Sequence, residues 1–159
     1  MKKSPEKKEK NQDEWQHKQK EIQNIAYLIS NVITKKDDII FVPAATSKDK
    51  NDKLYDDRLV CVLEAVKKII GVDYVELIET KQSTIPAHRT NKLRTPEEAM
   101  KNIELKVDKL EFIKNKLIIL FDDVFTSGST FKATQRLIQK YSPETKVFGL
   151  FVAKTKQFF

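Results

Sequence analysis

Residues 117–130 read LIILFDDVFTSGST, and the fold follows from how that stretch is read. Leu117, Ile118, Ile119, Leu120 and Phe121 form an unbroken apolar run. A short run rich in β-branched residues is the pattern of a strand buried on both faces. Two carboxylates follow at once, Asp122 and Asp123. Thr126, Ser127, Gly128, Ser129 and Thr130 then make a hydroxyl-rich turn, and an amphipathic helix starts near Phe131. The first turn of a helix leaves backbone N–H groups outside the helical ladder, and the helix dipole favours negative charge there. Gly128 lets the backbone take a positive φ and approach a ligand closely. These features describe an anion site. The carboxylates constrain it further, because two acids beside a phosphate repel it unless they serve another part of the ligand or a metal. Ribose hydroxyls and Mg2+ both suit carboxylate oxygens. A sugar phosphate with free vicinal hydroxyls satisfies the whole stretch.

On those residues the stretch resembles the phosphoribosyl-pyrophosphate (PRPP) signature of the type I phosphoribosyltransferases. That pattern is four apolar residues, two acids, two apolar residues, then Thr-Thr-Gly-x-Thr. Ser127 stands where a second Thr is commoner and keeps the hydroxyl. Without the resemblance, the same residues read as a strand–turn–helix whose Ser and Thr cap the helix. The resemblance implies transfer of a phosphoribosyl group from PRPP to a nitrogenous base or amine, with Mg2+ as cofactor and pyrophosphate released. It implies that Thr126 to Thr130 hold the 5-phosphate. Asp122 and Asp123 are then the catalytic pair, holding ribose hydroxyls and, through them or through water, Mg2+.

The composition is compatible with that expectation. A chain of 159 residues suits one domain with an adequate core, and 40% apolar with 33% charged residues suits a globular protein. No apolar run reaches the roughly 18–20 residues that span a bilayer. The basic N-terminus has no apolar segment behind it, so it does not read as a signal peptide. One cysteine, Cys61, excludes an internal disulfide and is compatible with a reducing cytoplasm. His17 and His88 with that one cysteine do not make a zinc site. Net charge is +7, of which residues 1–20 carry +3 as seven lysines and four acids. The remaining excess suits a polyphosphate ligand and permits nucleic-acid binding without demanding it.

Taken in order, residues 1–11 read as a disordered basic tail and residues 12–159 as the phosphoribosyltransferase-like domain. Residues 13–34 carry a helical stripe of Trp15, Ile22, Ile25, Ala26, Ile29, Val32 and Ile33, with Trp15 as a core or dimer anchor. Residues 38–42 form a strand that Pro43 ends. Residues 54–70 form a helix with Leu59, Val62, Leu63, Val66, Ile69 and Ile70 inward, capped by Gly71. Residues 72–78 read as a second strand. Thr95-Pro96-Glu97-Glu98 is a capping box with proline at the first helical position, and that helix ends near Asn102. Ile103, Leu105 and Val107 alternate as a short strand. After the 117–130 stretch comes a helix to Tyr141, with Ala133 or Thr134, Leu137, Ile138 and Tyr141 inward. Residues 147–153 read as a final buried strand. Alternating elements with apolar strands mean a parallel sheet covered by helices. The expectation is an α/β, three-layer doubly wound sheet, mainly parallel, whose loops converge at the strands' carboxyl ends. By resemblance it is type I phosphoribosyltransferase-like, with a flexible loop and a short hood.

The other site pieces come from the resemblance. The loop after the first strand binds pyrophosphate in the family; here it is residues 43–48, with Ala44 and Ala45 permitting close approach and Lys48 or Lys50 supplying charge. The same residues also read as an ordinary solvated loop. Residues 79–94 stand where the family's flexible loop closes over the reaction centre, with Lys81, His88, Arg89 and Arg94 as pyrophosphate contacts. The segment from Lys81 through Arg94 to Asn102-Ile103 resembles the ComF-like competence proteins, which carry an arginine and an Asn-Val pair near that point. Lys154 stands where some purine enzymes of the family set a lysine on the base, and Phe158 or Phe159 would stack on a ring or simply pack as strand ends. A homodimer is compatible with this reading. So is a non-catalytic PRPP- or nucleotide-binding regulator, or a ComF-like nucleic-acid-handling protein of the same fold. A phosphorylated-Asp receiver also sets an acid pair at a strand end, but after its first strand and without a TSGST turn.

Overall fold

The computed structural model describes residues 5–34, 37–84 and 95–154, with side chains from residue 12 onward. Its elements are α1 (Pro5–Val32), β1 (Ile39–Pro43), α2 (Arg58–Ile70), β2 (Ile78–Thr80), α3 (Pro96–Lys101), β3 (Ile103–Leu105), a 3-10 helix (Val107–Ile113), β4 (Leu117–Phe125), α4 (Ser129–Tyr141) and β5 (Val147–Lys154). The main sheet is parallel, in the order β1-β4-β5. β4 is central because its apolar run can be buried on both faces: Ile118, Ile119, Leu120 and Phe121 are all buried. It pairs with β1 from Ile39↔Leu117 to Pro43↔Phe121, and with β5 from Ile118↔Val147 to Phe125↔Lys154. Ile40, Phe41 and Val42 of β1 are buried beside it.

A further parallel contact extends the sheet beyond β1. The Phe41 N–H donates to the Asp73 carbonyl at 3.0 Å, and the Val75 N–H donates to the Phe41 carbonyl at 2.9 Å, which bridges Tyr74 to Phe41. In space the order is therefore Tyr74, β1, β4, β5. The chain winds away from β1 through α2 in one direction and away from β4 through α4 in the other. Right-handed crossovers then put α2 and α4 on opposite faces. The packing agrees, since α2 lies against α1 while α4 lies against α3. The fold is α/β, with a mainly parallel sheet and helices.

Several expected elements differ for local reasons. Residues 72–78 do not form one strand. The Leu77 N–H donates to the Val75 carbonyl at 2.9 Å, an i to i+2 bond that kinks the chain after its single bridge. Beyond the kink, β2 pairs antiparallel with β3, Ile78 opposite Leu105 and Thr80 opposite Ile103. Val107 begins the 3-10 helix instead of continuing β3, and it is exposed. Helix α1 begins at Pro5, so residues 5–11, expected to be disordered, are helical. Their glutamates and lysines are good helix formers, and proline is tolerated in a first turn, so propensity extends the helix without any apolar stripe. Trp15 is exposed, as is Val32, and neither belongs to the core; Ile22, Ala26 and Ile29 do. Helix α2 begins at Arg58, after turns across residues 49–55, and Ile69 is exposed. Tyr141 is exposed at the end of α4. β5 is not a buried strand. Among the described residues it pairs with β4 alone, and Phe148 and Val152 remain 55% and 45% exposed.

Other expectations match the structure. Gly71 caps α2 in the left-handed conformation at φ 75°, with its N–H bonded to the Lys67 carbonyl. Thr95 and Glu98 form the reciprocal capping box of α3. Among the described residues, no helix is long and apolar enough to cross a membrane.

The burial pattern sets the stability cost of each position. Truncating Phe41, which is fully buried between two neighbours, removes core contacts and leaves a cavity. Phe41→Ala is expected to cost about 3–5 kcal/mol in denaturant unfolding, whereas Phe148→Ala on the exposed edge is expected to cost well under about 2 kcal/mol.

Candidate functional site

The reversal of winding lies between β1 and β4, so the loops that leave these two strands open side by side at the carboxyl end of the sheet. That is where open α/β sheets bind ligands. A backbone bond holds the loops together: the Ala44 N–H donates to the Phe121 carbonyl at 2.8 Å. Phe121 is the residue before the acid pair. Ala44, Ala45, Asp122 and Asp123 are thus brought to one place, together with the turn at 126–130.

That turn is built around Gly128. It caps α4 at φ 74° and ψ 6°, a left-handed conformation that costs L-residues dearly. Space also demands glycine, because a Cβ there would lie 2.9 Å from the Phe125 ring. The Phe125 ring is held in turn by Phe151, edge to face at 4.9 Å between centroids. Phe131 packs on the same Phe151 at 6.2 Å. The Lys132 N–H donates to the Gly128 carbonyl at 2.9 Å, the first helical bond. Ser127 and Ser129 share a hydrogen bond between hydroxyls at 2.8 Å, and the Ser129 N–H donates to the Ser127 hydroxyl at 3.3 Å. Helix α4 thus begins two residues before its expected start, since the glycine turn supplies the cap. Thr126, Ser127, Ser129 and Thr130 surround this N-terminus, with Ser129 buried and the others half-buried.

The two acids do not have the same surroundings. β4 continues in strand geometry through both, to Phe125, so they leave the backbone toward opposite sides. Asp122 is in register with Phe151, an apolar neighbour on the same face. The Asp123 N–H donates to an Asp122 carboxylate oxygen at 2.9 Å. Burial pushes the Asp122 carboxyl up to about 7, reinforced by the negative charge of Asp123 and by a hydrogen bond to its side chain. Backbone N–H donors from residues 123 and 124 pull the other way, and desolvation wins. Near neutral pH Asp122 is therefore about half protonated, and the pair has no ion-pair partner among the described residues. It is ready to receive a cation or a pair of hydroxyl donors.

The loop after β1 is tied to the start of the segment that follows β2. The Thr80 hydroxyl donates to the Thr46 carbonyl at 2.6 Å, and the Thr84 N–H donates to the Ser47 carbonyl at 2.7 Å. The Ser83 hydroxyl accepts from the Asp49 N–H at 3.0 Å. A small cavity sits against this loop, lined in part by Ala44, Ala45, Thr46, Lys48 and Thr80. Sequence reading missed these hydroxyl contacts. The Thr80, Ser83 and Thr84 spacing was the available signal, but only a folded chain shows what it faces. The role of Phe125 as the floor beneath Gly128 was missed for the same reason.

The basic residues are placed less favourably. Lys48 is 3.8 Å from Asp52, whose carboxyl is held below its usual range by the Ser83 hydroxyl, the Leu54 N–H and the Lys48 charge. Lys50 is paired with Glu76. Lys81 is exposed, and its N–H donates to the Asn102 carbonyl at 2.9 Å, beside the capping end of α3. Lys154 ends β5 in register with Phe125, its ammonium 5.9 Å from the centre of that ring. His88, Arg89, Arg94, Phe158 and Phe159 lie outside the described residues. The chain matches no protein-family model and no curated protein.

Two measurements check this geometry. Gly128→Ala meets both the strained φ and the Phe125 ring, and is expected to destabilise by about 1–3 kcal/mol. Asp122 has a folded-state pKa above its unfolded value, so its contribution to stability is present below pH about 4 and is lost as pH rises through about 7. Asp122→Asn keeps the shape and removes the buried charge. It is expected to stabilise the ligand-free protein at pH 8 by about 1–3 kcal/mol and to change little at pH 4, read by thermal melts at both pH values.

Proposed function

We propose that the chain binds PRPP where the sheet reverses between β1 and β4, and transfers its phosphoribosyl group to a nitrogenous base or amine, releasing pyrophosphate. The carrying observation is the order of chemistry along one short piece of backbone. A carboxylate pair with its first member, Asp122, desolvated follows a buried apolar run, and a left-handed glycine turn then opens a helix N-terminus. A phosphate and a diol, joined by one sugar, need donors and acceptors in that order. On this reading the turn from Thr126 to Thr130 receives the 5-phosphate through backbone N–H groups and hydroxyls. Asp122 and Asp123 accept hydrogen bonds from the ribose hydroxyls, each charge-assisted bond contributing about 1.5–3 kcal/mol. The Ala44–Ala45 backbone receives the pyrophosphate, since alanines let it come close. The type I phosphoribosyltransferase-like fold, its flexible loop at 79–94 and its short hood belong to the same proposal, as does the cytoplasm as its compartment.

The donor set fits Mg2+. Among the described residues no group of three or more His, Cys, Asp or Glu is assembled, and the ligands proposed from them are the two aspartates. Mg2+ is ordinarily held that way, by one or two carboxylates with ligand phosphates and water completing the shell. When bound, it supplies positive charge beside the leaving pyrophosphate. The chain's own contribution is electrostatic. As the bond to pyrophosphate lengthens the sugar becomes cationic, and a carboxylate in a poorly solvated site stabilises that charge more than water would.

A second reading has its own support. Lys48 and Lys50 are already engaged by Asp52 and Glu76, so the pyrophosphate loop offers no cation that is not already paired. That arrangement favours a protein that binds PRPP or a nucleotide as a signal, with or without nucleic acid as partner, over one that expels pyrophosphate quickly.

Titration with PRPP and Mg2+ is expected to raise the melting temperature, by about 2.7 kcal/mol of stabilisation at 100 times Kd. Asp122→Asn with Asp123→Asn is expected to abolish that shift. Undiminished PRPP affinity in the double variant would sink the reading. Pyrophosphate release with one of a panel of bases marks the transferase, and binding without turnover marks the regulator.

A further inference from the structure

β5 carries an unresolved conflict between sequence and position. Its residues 147–153, VFGLFVA, are apolar throughout, with no proline and no charge. Yet among the described residues it is the edge of the sheet and pairs with β4 alone. Natural edge strands are ordinarily kept short, charged, bulged or covered, because their free N–H and C=O groups template further pairing. This strand has eight residues, regular pairing, and Phe148 and Val152 about half exposed. Lysines stand only at its two ends, Lys146 just before it and Lys154 as its last residue.

We propose that β5 pairs antiparallel with β5 of a second copy of this chain, about a two-fold axis at Leu150. The strand's own pattern selects the partner and the register. With Leu150 opposite itself, Phe148 faces Val152 of the second copy, and the whole run from 147 to 153 is matched without an overhang. Shifting the register by two residues, in either direction, sets a lysine against an apolar side chain. Such an interface is isologous and closes as a pair. In this register Lys146 and Lys154 of the two copies oppose each other at the rims, which blocks extension beyond the strand and weakens the pairing at low salt. The area sets the strength. A strand of this length runs about 26 Å, and one half-exposed phenylalanine adds roughly 100 Å2. This is well short of the ~800 Å2 per partner of a standard stable interface, so the dimer is an exchanging one. The inference does not depend on the proposed enzymatic function.

Sedimentation velocity over a wide concentration range is the first test. Association that grows with concentration and strengthens with added salt is expected, and Val152→Lys, a change at an exposed position, should weaken it at least tenfold while circular dichroism and melting stay near those of the parent. The second test fixes the register, in a Cys61→Ser background. Leu150→Cys should form a disulfide-linked dimer on mild oxidation, because directly opposed antiparallel residues have Cα atoms about 4.5–5.5 Å apart. Phe148→Cys should not, since its copies stand about 13 Å apart along the strand. A chain that stays monomeric at every concentration and salt, including one whose β5 binds only unrelated extended peptides, overturns the proposal. So does a dimer that Val152→Lys leaves intact, or one that Leu150→Cys fails to link.

Discussion

The pairing of β1 with β4 carries the rest of the structure. Both strands are apolar on both faces and lie next to each other at the point where the winding reverses. Burial of Phe41, Phe121 and Leu120 draws the chain into this arrangement. The same burial carries the first residue after the apolar run, Asp122, into surroundings that oppose its charge. A core that is good for stability thus produces, one residue further on, a carboxyl that is poor for it. Such local conflict is a common mark of a functional site, because a ligand can relieve what folding left unrelieved.

The turn that follows is determined by a second packing constraint. The rings of Phe125, Phe151 and Phe131 fill the space beneath the α4 N-terminus. They leave no room for a Cβ at residue 128 and set the direction in which the helix leaves. The neighbouring loop is held by backbone bonds, from Ala44 to Phe121 and from Thr84 to Ser47. The site is therefore made mostly of backbone held by apolar packing. The two lysines of the loop after β1 are already paired with acids, Lys48 with Asp52 and Lys50 with Glu76. That division suits recognition of a phosphorylated sugar by shape and hydrogen bonds, with cationic help coming from a metal or from elsewhere in the chain.

Much of this was legible in the sequence where local chemistry decides the outcome. Thr95 and Glu98 form a capping box because the two side chains reach each other within one turn. Gly71 takes a left-handed φ because it caps a helix C-terminus, and Gly128 because it makes the tight turn into α4. The apolar run at 117–121 reads as a buried strand because it is short, continuous and rich in β-branched residues. Errors arose where tertiary position decides. Residues 72–78 look like one strand, but the kink at Leu77 moves them from one sheet to another. Residues 147–153 look buried, since hydrophobicity records a preference and not an address. Trp15 continues the helical stripe of Ile22 and Ile29, but the helix outruns the surface that would cover it.

By itself, the sequence determined the alternation of strands and helices, the strand–acid–glycine–helix order of residues 117–130, and hence the class of ligand worth testing. These follow from periodicity and from backbone chemistry within a few residues. Only the tertiary structure decided which acid is desolvated, which lysines are already paired, and which strand is left at the edge. Each of those depends on residues far apart in the chain: Phe151 beside Asp122, Glu76 beside Lys50, and the lack of any strand beyond β5 among the described residues. Electrostatic energies and burial are set by what surrounds a group in space, and those surroundings exist only once the chain has folded.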